Sequence, residues 1–557
     1  MKPKKATKPL SGSAHAIPRQ HKLLGETSSK QVITVTLYLR RRKNASKLLG
    51  EKDFTSKWGS LRPAVDHQSF ADKYGADPAE IQQVIDFARE SGLDVKETNP
   101  AARSVVVQGA AAKLNSVFGV KLQNYQGELR KYHNHAGEAH LPSAIANLIE
   151  TVSGLDNRPI RARAYNTSRR RTTSDPANTK PVTPQEIAQL YAFPPGDGAG
   201  QTIGIYEMAV EDPQTNKLAD AGYKAQDVAK TIQGFGGNLK VPKIIDVSID
   251  GVGNSGVNDG ETLLDITVAG AIAQAATIVV YFTGPEPQNI LHALQRMIHP
   301  LQGDPMPNII SISYGWGPDE ETGFSEGEIN QFGALFQDAA NLFITVLVSS
   351  GDSGCYLGAS HAQVSYPASE PMVTACGGTT VGNVSGANFD EYAWNDVGAG
   401  GPGATGGGIS AIFQMPSYQN SAGVPKNNST KKAGRGIPDL AGNASENSGY
   451  MQQASGFRTQ PVGGTSAVAP LYAGLFARIN SNLGSPAGFV NPVIYSLGAA
   501  AFRDTVAPPG PLNNSFNGVT GYPVTKGWDA CTGWGSVNGL ILQNGLKTAK
   551  AGSKTTT

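Results

Sequence analysis

Leu342-Phe343-Ile344-Thr345-Val346-Leu347-Val348-Ser349-Ser350-Gly351-Asp352-Ser353-Gly354 carries an apolar run into a Gly-Ser loop that holds a single acid. A short, nearly continuous apolar run ended by such a loop reads as a strand buried on both faces, as in a parallel sheet. Working outward, similar runs predict strands at 201–207, 242–248, 277–282 and 308–313. Between and beyond them, helical periodicity predicts helices near 222–233, 261–274, 288–298, 326–340 and 467–482. Strands alternating with helices give an α/β chain with a parallel sheet covered on both faces. Ligands gather at the C-terminal ends of such strands, which is where Asp352 falls. An Asx-turn acid in a surface loop is the plainer reading of the same residue.

Gly463-Gly464-Thr465-Ser466-Ala467-Val468-Ala469-Pro470 runs a glycine pair into an apolar helix. Glycine permits backbone that a Cβ would block, and the helix start sets unpaired N–H groups beside the Ser466 hydroxyl. Taken alone this is more often an ordinary N-cap.

Glu261-Thr262-Leu263-Leu264-Asp265 opens the helix predicted at 261–274, with Asp259 and Gly260 as its entry. Residues four apart share a helical face, so two acids there repel when both are ionised, and one pKa rises. The bland alternative is a solvated stripe of acids favoured by the helix dipole. A serine nucleophile normally takes its base from histidine. Of nine histidines only His292, His299 and His361 follow residue 175, and none has a glycine-rich or helix-start setting. A carboxylate base fits better.

These stretches, with Gly260-Glu261-x-x-x-Asp265-Ile266, Ser311-Ile312-Ser313-Tyr314-Gly315-Trp316-Gly317, Ser350-Gly351-Asp352-Ser353-Gly354 and Gly434-Arg435-Gly436-Ile437-Pro438-Asp439, occur in order along nearly the whole chain. The chain thereby resembles the sedolisins, the serine-carboxyl peptidases, and most their kumamolisin branch. The resemblance implies a subtilisin-like catalytic domain with Ser466 as nucleophile, Glu261 as general base then acid, Asp265 as its orienting partner, and Asp352 as the oxyanion-hole acid. It implies Glu207, at the end of Thr202-Ile203-Gly204-Ile205-Tyr206, as an acid extending the network behind the triad. An aromatic completes that network: Trp316 fits by residue type and Tyr314 by position, and Trp316 is the residue taken here. A protonated Asp can donate to an oxyanion while Glu261 must be ionised to act as base, so the enzyme is expected to work in acid.

Toward the C-terminus, Asp504-Thr505 and Thr525-Lys526-Gly527-Trp528-Asp529 resemble the family's calcium site. The implied ligands for one structural Ca²⁺ are the carboxylates of Asp504 and Asp529 and the carbonyls of Thr505, Thr525 and Gly527. Oxygen ligands of this kind suit a hard cation. Without the resemblance, two unrelated loop acids would be the reading.

The net charge of +2 conceals a division. Residues 1–175 carry 29 Lys and Arg against 16 Asp and Glu, and residues 176–557 carry 18 against 29. A basic segment is commonly a solvated face or a nucleic-acid arm, but no reading motif or aromatic-interleaved patch is present. Opposite signs suit an N-terminal part docked on an acidic partner in the same chain. After a flexible tail (1–29), residues 30–157 read strand (31–39), helix (78–90), strands at 93–96 and 104–107, helix (110–118) and a last strand beginning at 120–122. That order suggests a ferredoxin-like unit, and it resembles the family's propeptide, which occludes the catalytic domain as an intramolecular inhibitor. Residues 158–180, with Arg169-Arg170-Arg171, read as the linker cut in maturation, and 181–557 as the catalytic domain. The glycine-rich 398–408 stretch lacks a phosphate-loop frame and reads as close-approach backbone lining a peptide cleft.

No apolar run is long enough to span a bilayer, and the basic start shows no signal peptide of the usual form. An acid-working peptidase is nevertheless expected outside the cell, by a route the sequence does not display. Three cysteines (Cys355, Cys376, Cys531) do not make a disulfide scaffold or a zinc site. The expectation is a monomeric endopeptidase acting on proteins or peptides, with neither nucleic acid nor membrane as partner. A tripeptide-removing exopeptidase of the same family and a non-catalytic peptide-binding homologue are the competing readings.

Overall fold

The structure, a computed structural model, describes residues 6–57, 66–128, 130–160, 178–212, 217–219, 221–397, 403–454, 460–505 and 513–551. Its centre is a ten-stranded sheet. The path runs Lys243–Ser248, Thr277–Thr283, Thr202–Met208, Ile309–Ile312, Thr345–Ser349, Thr374–Ser385, Leu440–Asn443, Ser536–Val537 and Phe502–Arg503, with Asn388–Ala393 beside Thr374–Ser385. All pairings are parallel except those of Asn388–Ala393 and Phe502–Arg503.

Successive side chains of a strand point to opposite faces, and the sheet divides its core accordingly. Ile203, Ile205, Ile278, Val280 and Phe282 pack with the helices Gly260–Ile272 and Val468–Leu483. Tyr206, Met208, Val279, Tyr281, Ile310 and Ile312 pack with Pro287–Ile298 and Glu326–Asn341. By this alternation Glu207 shares the face of Ile203 and Ile205 and looks toward the Gly260–Ile272 helix. The motif Gly434–Asp439 is structural: buried Arg435 makes two hydrogen bonds to Asp439, whose Oδ2 also accepts from the Ala375 N–H at 2.7 Å. That arrangement clamps two neighbouring strands at their start.

In the N-terminal part, the order Asp94–Asn99, Ser104–Ala110, Val32–Leu39, Ile149–Ser153 makes an antiparallel four-stranded sheet with the helices Pro78–Glu90 and Ala111–Phe118. This is the ferredoxin-like order, with one correction. Leu122–Gln126, expected as the closing strand, belongs to a separate sheet with Lys22–Glu26 and Lys131–His135, and the closing strand is Ile149–Ser153. A second correction concerns the tail. Thr7–Pro9 pairs with His140–Pro142 and Lys22–Glu26 with Leu122–Gln126, so the segment before residue 30 is built into sheets. Its polar residues form strands because they edge onto strands already held by the core.

The N-terminal sheet lies on the Pro287–Ile298 and Glu326–Asn341 helices, where the charge division becomes contact. Arg41 meets Asp338, Arg130 meets Glu286, and Arg103 donates to Gln331. Most of the expected linker (161–177) lies outside the described residues, as do 398–402 of the glycine-rich stretch. Its remainder, 403–408, does show close backbone approach: a Cβ on Gly406 would meet the Ser350 carbonyl at 2.1 Å. All three cysteines are buried and unpaired. Among the described residues no helix is long and apolar enough to cross a membrane.

Candidate active site

Ser466 is presented by backbone that only glycine accepts. Gly464 has φ +94° and donates its N–H to the Ala444 carbonyl at 2.6 Å, and a Cβ on Gly463 would meet that same oxygen at 2.2 Å. A single 3₁₀ turn, Thr465–Ala467, then leads into the Val468–Leu483 helix. The helix beneath, Gly260–Ile272, begins with Asp259 accepting from the Glu261 N–H at 3.0 Å. Glu261 and Asp265 therefore emerge on one face, and the two helices pack on each other under the sheet's C-terminal edge.

Ser466, Glu261, Asp265 and Glu207 are all fully buried. Burial pushes the carboxyls of Glu261, Asp265 and Glu207 well above the usual range, and their mutual repulsion adds to the effect. The Ser466 hydroxyl opposes this at Glu261, favouring its charged form. Among the described residues neither Glu261 oxygen has a formed hydrogen bond, however, and the Ser466 proton is directed to the Ser313 carbonyl at 3.2 Å. The serine–glutamate pair is thus adjacent but loose, as catalytic contacts commonly are before substrate binds.

Asp265 accepts the Ser313 hydroxyl on Oδ2 at 2.6 Å. Glu207 accepts from Thr262 (3.0 Å) and from the Tyr314 hydroxyl (2.7 Å), both on Oε2. Thr262 also reaches Asp259, whose carboxyl is raised by burial. Asp352 follows Thr345–Ser349 and faces the nucleophile's turn: its Oδ1 accepts from both the Thr465 N–H (2.7 Å) and hydroxyl (2.6 Å). Both bonds end on Oδ1, leaving Oδ2 to carry a proton. Burial lifts this carboxyl to about 7, against the pull of the Thr465 bonds. A neutral acid at the start of the Ser466 turn is a hydrogen-bond donor for an oxyanion.

The structure corrects the aromatic. Tyr314, not Trp316, holds Glu207. Trp316 lies in the other core among Tyr206, Phe324, Phe332 and Tyr366. The three later histidines sit elsewhere: His292 against Asp250, His299 against Asp338, and His361 against Glu320.

Comparison with known proteins fits this geometry. Residues 19–158 match the family model "Pro-kumamolisin, activation domain", and 251–493 match "Subtilase family". Kumamolisin from a Bacillus species is 36% identical over 554 residues, covering 96% of each chain. The chain belongs to the sedolisin family. Tripeptidyl-peptidase sed5 of Aspergillus fumigatus is 30% identical, over 95% of this chain and 96% of its own. The solved Pseudomonas sedolisin, complexed with two molecules of pseudo-iodotyrostatin, aligns with 26% identity and a TM-score of 0.54, covering 67% of this chain and all of that one. This sedolisin is accordingly a serine-carboxyl peptidase, a hydrolase made with an activation propeptide.

In this sedolisin, residues 504–505 and 525–529 are brought together near the C-terminal strands. Asp504 Oδ2 accepts from the Gly527 N–H at 2.7 Å, and Asp529 Oδ2 from that of Thr525 at 3.0 Å. The Thr505 and Thr532 hydroxyls meet at 2.9 Å. Burial, with Asp504 adding to it, lifts Asp529 to about 6. Asp529 Oδ1 also accepts from the N–H groups of Cys531 and Thr532, both at 2.9 Å, and among the described residues neither acid has an ion-pair partner. The two carboxylates are oxygen ligands of the kind a hard dication takes.

Sequence reasoning did not single out Ser313, Thr262 or Thr465, the hydroxyls that join the acids to one another and to the nucleophile's turn. Their signal was a polar residue at each place where an apolar element ends.

Proposed function

We propose that the chain is an acid-active endopeptidase made as a self-processing zymogen and working outside the cell. The observation that carries this reading is the meeting of Ser466 with Glu261 under a neutral Asp352. Glu261, ionised, takes the Ser466 proton as Oγ attacks the scissile carbonyl. Asp352, donating from Oδ2, and a backbone N–H near Ser466 hold the oxyanion. Glu261 then gives its proton to the leaving amine, and water repeats the sequence on the acyl-enzyme. Asp265 orients Glu261, while Glu207 with Tyr314 extends the network behind it. The buried acids repel one another, so few of them are charged at once, and the state the mechanism uses is the one whose single charge sits on Glu261. Asp504 and Asp529, with the carbonyls of Thr505, Thr525 and Gly527, would hold one Ca²⁺, which when bound ties the C-terminal loops together.

The test is an acid shift of the purified full-length chain, wild type beside Ser466→Ala, read by gel and peptide cleavage. Wild type is expected to lose roughly its first third at about pH 4 and to cut within blocked peptides, while the variant stays whole. Cleavage only of tripeptides from free N-termini would replace the endopeptidase reading with the exopeptidase one. An inert wild type across acid pH would leave a peptide-binding homologue.

A further inference from the structure

The helix that carries Glu261 and Asp265 begins with a third acid. Asp259, just ahead of Gly260–Ile272, is held by its own backbone: its N–H donates to the Gly222 carbonyl at 2.9 Å, and its carbonyl accepts from the Leu263 N–H at 3.1 Å. Its Oδ1 accepts from the Glu261 N–H at 3.0 Å, which fixes it on the backbone of the base itself. Thr262 stands between Asp259 and Glu207. Its Oγ1 lies 3.0 Å from Asp259 Oδ2 and 3.0 Å from Glu207 Oε2. Thr262 follows Glu261 directly and is three residues before Asp265, the spacing of neighbours on one helical face. Glu207, bonded to Thr262, thus sits against the part of the helix that carries both catalytic acids.

One hydroxyl proton makes one good hydrogen bond, and Thr262 can direct its own at only one of the two carboxyls. Two good bonds therefore need a proton on one of the acids, and the chain can be written in two ways. In the first, Asp259 Oδ2 carries that proton and donates to Thr262, which donates to Glu207. In the second, Glu207 Oε2 carries it and donates to Thr262, which donates to Asp259. Passing from the first to the second moves one proton from Asp259 to Thr262 and one from Thr262 to Glu207, with none gained or lost. Three features favour the second. Asp259 is partly exposed, while Thr262 and Glu207 are fully buried. It caps a helix N-terminus, where negative charge is favoured. Burial raises both carboxyls, but it lifts Glu207 well above the usual range, and Asp259 adds to that effect.

We propose that Asp259 is a positioning residue of the catalytic network: through the Thr262 hydroxyl it takes the negative charge to the exposed helix start and keeps the proton on Glu207, so that Glu261 alone of the buried acids is ionised beside Ser466. The inference rests on the serine–glutamate reading above. Charge on Glu207 opposes ionisation of Glu261 and of Asp265 more than charge on Asp259 does. Moving it outward therefore lowers the pH at which the base becomes available. The other ionisable groups facing the relay are Tyr314, which donates to Glu207 at 2.7 Å, and Asp352 across the site. Lys224 and Asp227 stand on the outer side, where the Lys224 N–H and the Asp227 carboxyl both hold Asn258, the residue before Asp259.

The experiment pairs infrared titration with kinetics. In the full-length Ser466→Ala chain, which cannot digest itself, the protonated-carboxyl band of Glu207 is identified by its loss in Glu207→Gln and followed against pH. Asp259→Asn keeps its amide oxygen on the Glu261 N–H, so its NH₂ faces Thr262 and turns that hydroxyl toward Glu207. The Glu207 band should then vanish about half a pH unit or more below its midpoint in the parent. In the matured enzyme the acid limb of kcat/KM, where Glu261 gains its proton, should move up by a similar amount. Adding Glu207→Gln should cancel that move. Tm should barely change, since Asn caps a helix as well as Asp. The response to Asp259→Asn should survive in a Thr262→Ser background and largely vanish in Thr262→Val. A band and an acid limb both unmoved by Asp259→Asn overturn the relay and leave a helix cap, as does a response that Thr262→Val leaves intact. Should Asp259→Asn not fold, the parent decides: its Glu207 band must persist above the acid limb of wild type, and loss of the band below that limb overturns the proposal. A wild type that never cleaves sinks the peptidase reading alone, because the infrared titration needs no turnover.

Discussion

The Ser313 hydroxyl donates to Asp265 Oδ2 at 2.6 Å and also lies 3.2 Å from the carbonyl of Ser466, so one small side chain ties the orienting acid to the nucleophile's backbone. Asp265 Oδ1 has no partner, which makes Ser313 the only hydrogen bond found on that carboxyl among the described residues. In Ser313→Ala the lost bond is worth about 1–2 kcal/mol, which is roughly 5- to 30-fold in kcat. KM should barely move, since Ser313 acts through Asp265 and Glu261. The measurement is kcat and KM of the matured variant across acid pH. A loss in KM alone would place Ser313 in substrate binding instead.

On the proposed mechanism, Asp352 is expected to set the upper pH limit. Its carboxyl is lifted to about 7, so the fold favours the protonated form. The stability gained from that proton is full below the ordinary carboxylate value and is lost as pH rises through about 7. Oxyanion donation disappears over the same window. Asp352→Asn stays neutral and can still donate from its amide, so its activity, though reduced, should persist above the pH at which wild type fails. Asp352→Ala removes the donor and should cost about 10²–10³ in kcat. Rate–pH profiles of the three proteins check this; an unchanged alkaline limb in the Asn variant would assign the limit to another group.

Tyr314 and Trp316 separate function from packing. Tyr314→Phe removes the 2.7 Å bond to Glu207 and should lower kcat by roughly 10-fold with little loss of Tm. Trp316→Leu leaves a hole among Phe324, Phe332 and Tyr366 and should cost about 2–4 kcal/mol of stability while the folded fraction keeps its kcat. Thermal melts beside kinetics distinguish the two. Equal kinetic losses in both would show that the network runs through the indole as well.

The same pair shows what the sequence can and cannot carry. Positions 314 and 316 have one parity, so strand alternation cannot choose between them; distance from the last paired residue, Ile312, does, and that is a tertiary fact. Glu261 and Asp265 were legible because helical spacing alone puts them on one face, and Ser466 because the glycine pair forces its turn. Asp352 was legible from the apolar run it ends. The closing propeptide strand was not. Thr36 pairs with Ser153 across more than a hundred residues, and nothing local to Ile149–Ser153 announces that partner, while Val120-Lys121-Leu122 follows the helix directly, where a closing strand is expected.

The last prediction concerns Asp504 and Asp529. Burial and Asp504 lift Asp529 to about 6. Without a cation, the protonated acid is the form the fold favours, and its stabilisation is lost as pH rises through about 6. Bound Ca²⁺ reverses the sign, because the ion needs both carboxylates ionised. Chelated protein should therefore melt lower at neutral pH than near pH 5 on this account, while calcium-loaded protein should gain most at neutral pH. At a hundredfold excess over Kd the gain is about 2.7 kcal/mol, or a Tm rise of roughly 2–3 °C in a chain of this size. Asp504→Asn with Asp529→Asn should remove the response to both calcium and chelator. Melts of the Ser466→Ala chain, which cannot digest itself, measure this at both pH values; a calcium response that survives the double variant would move the ion to another site.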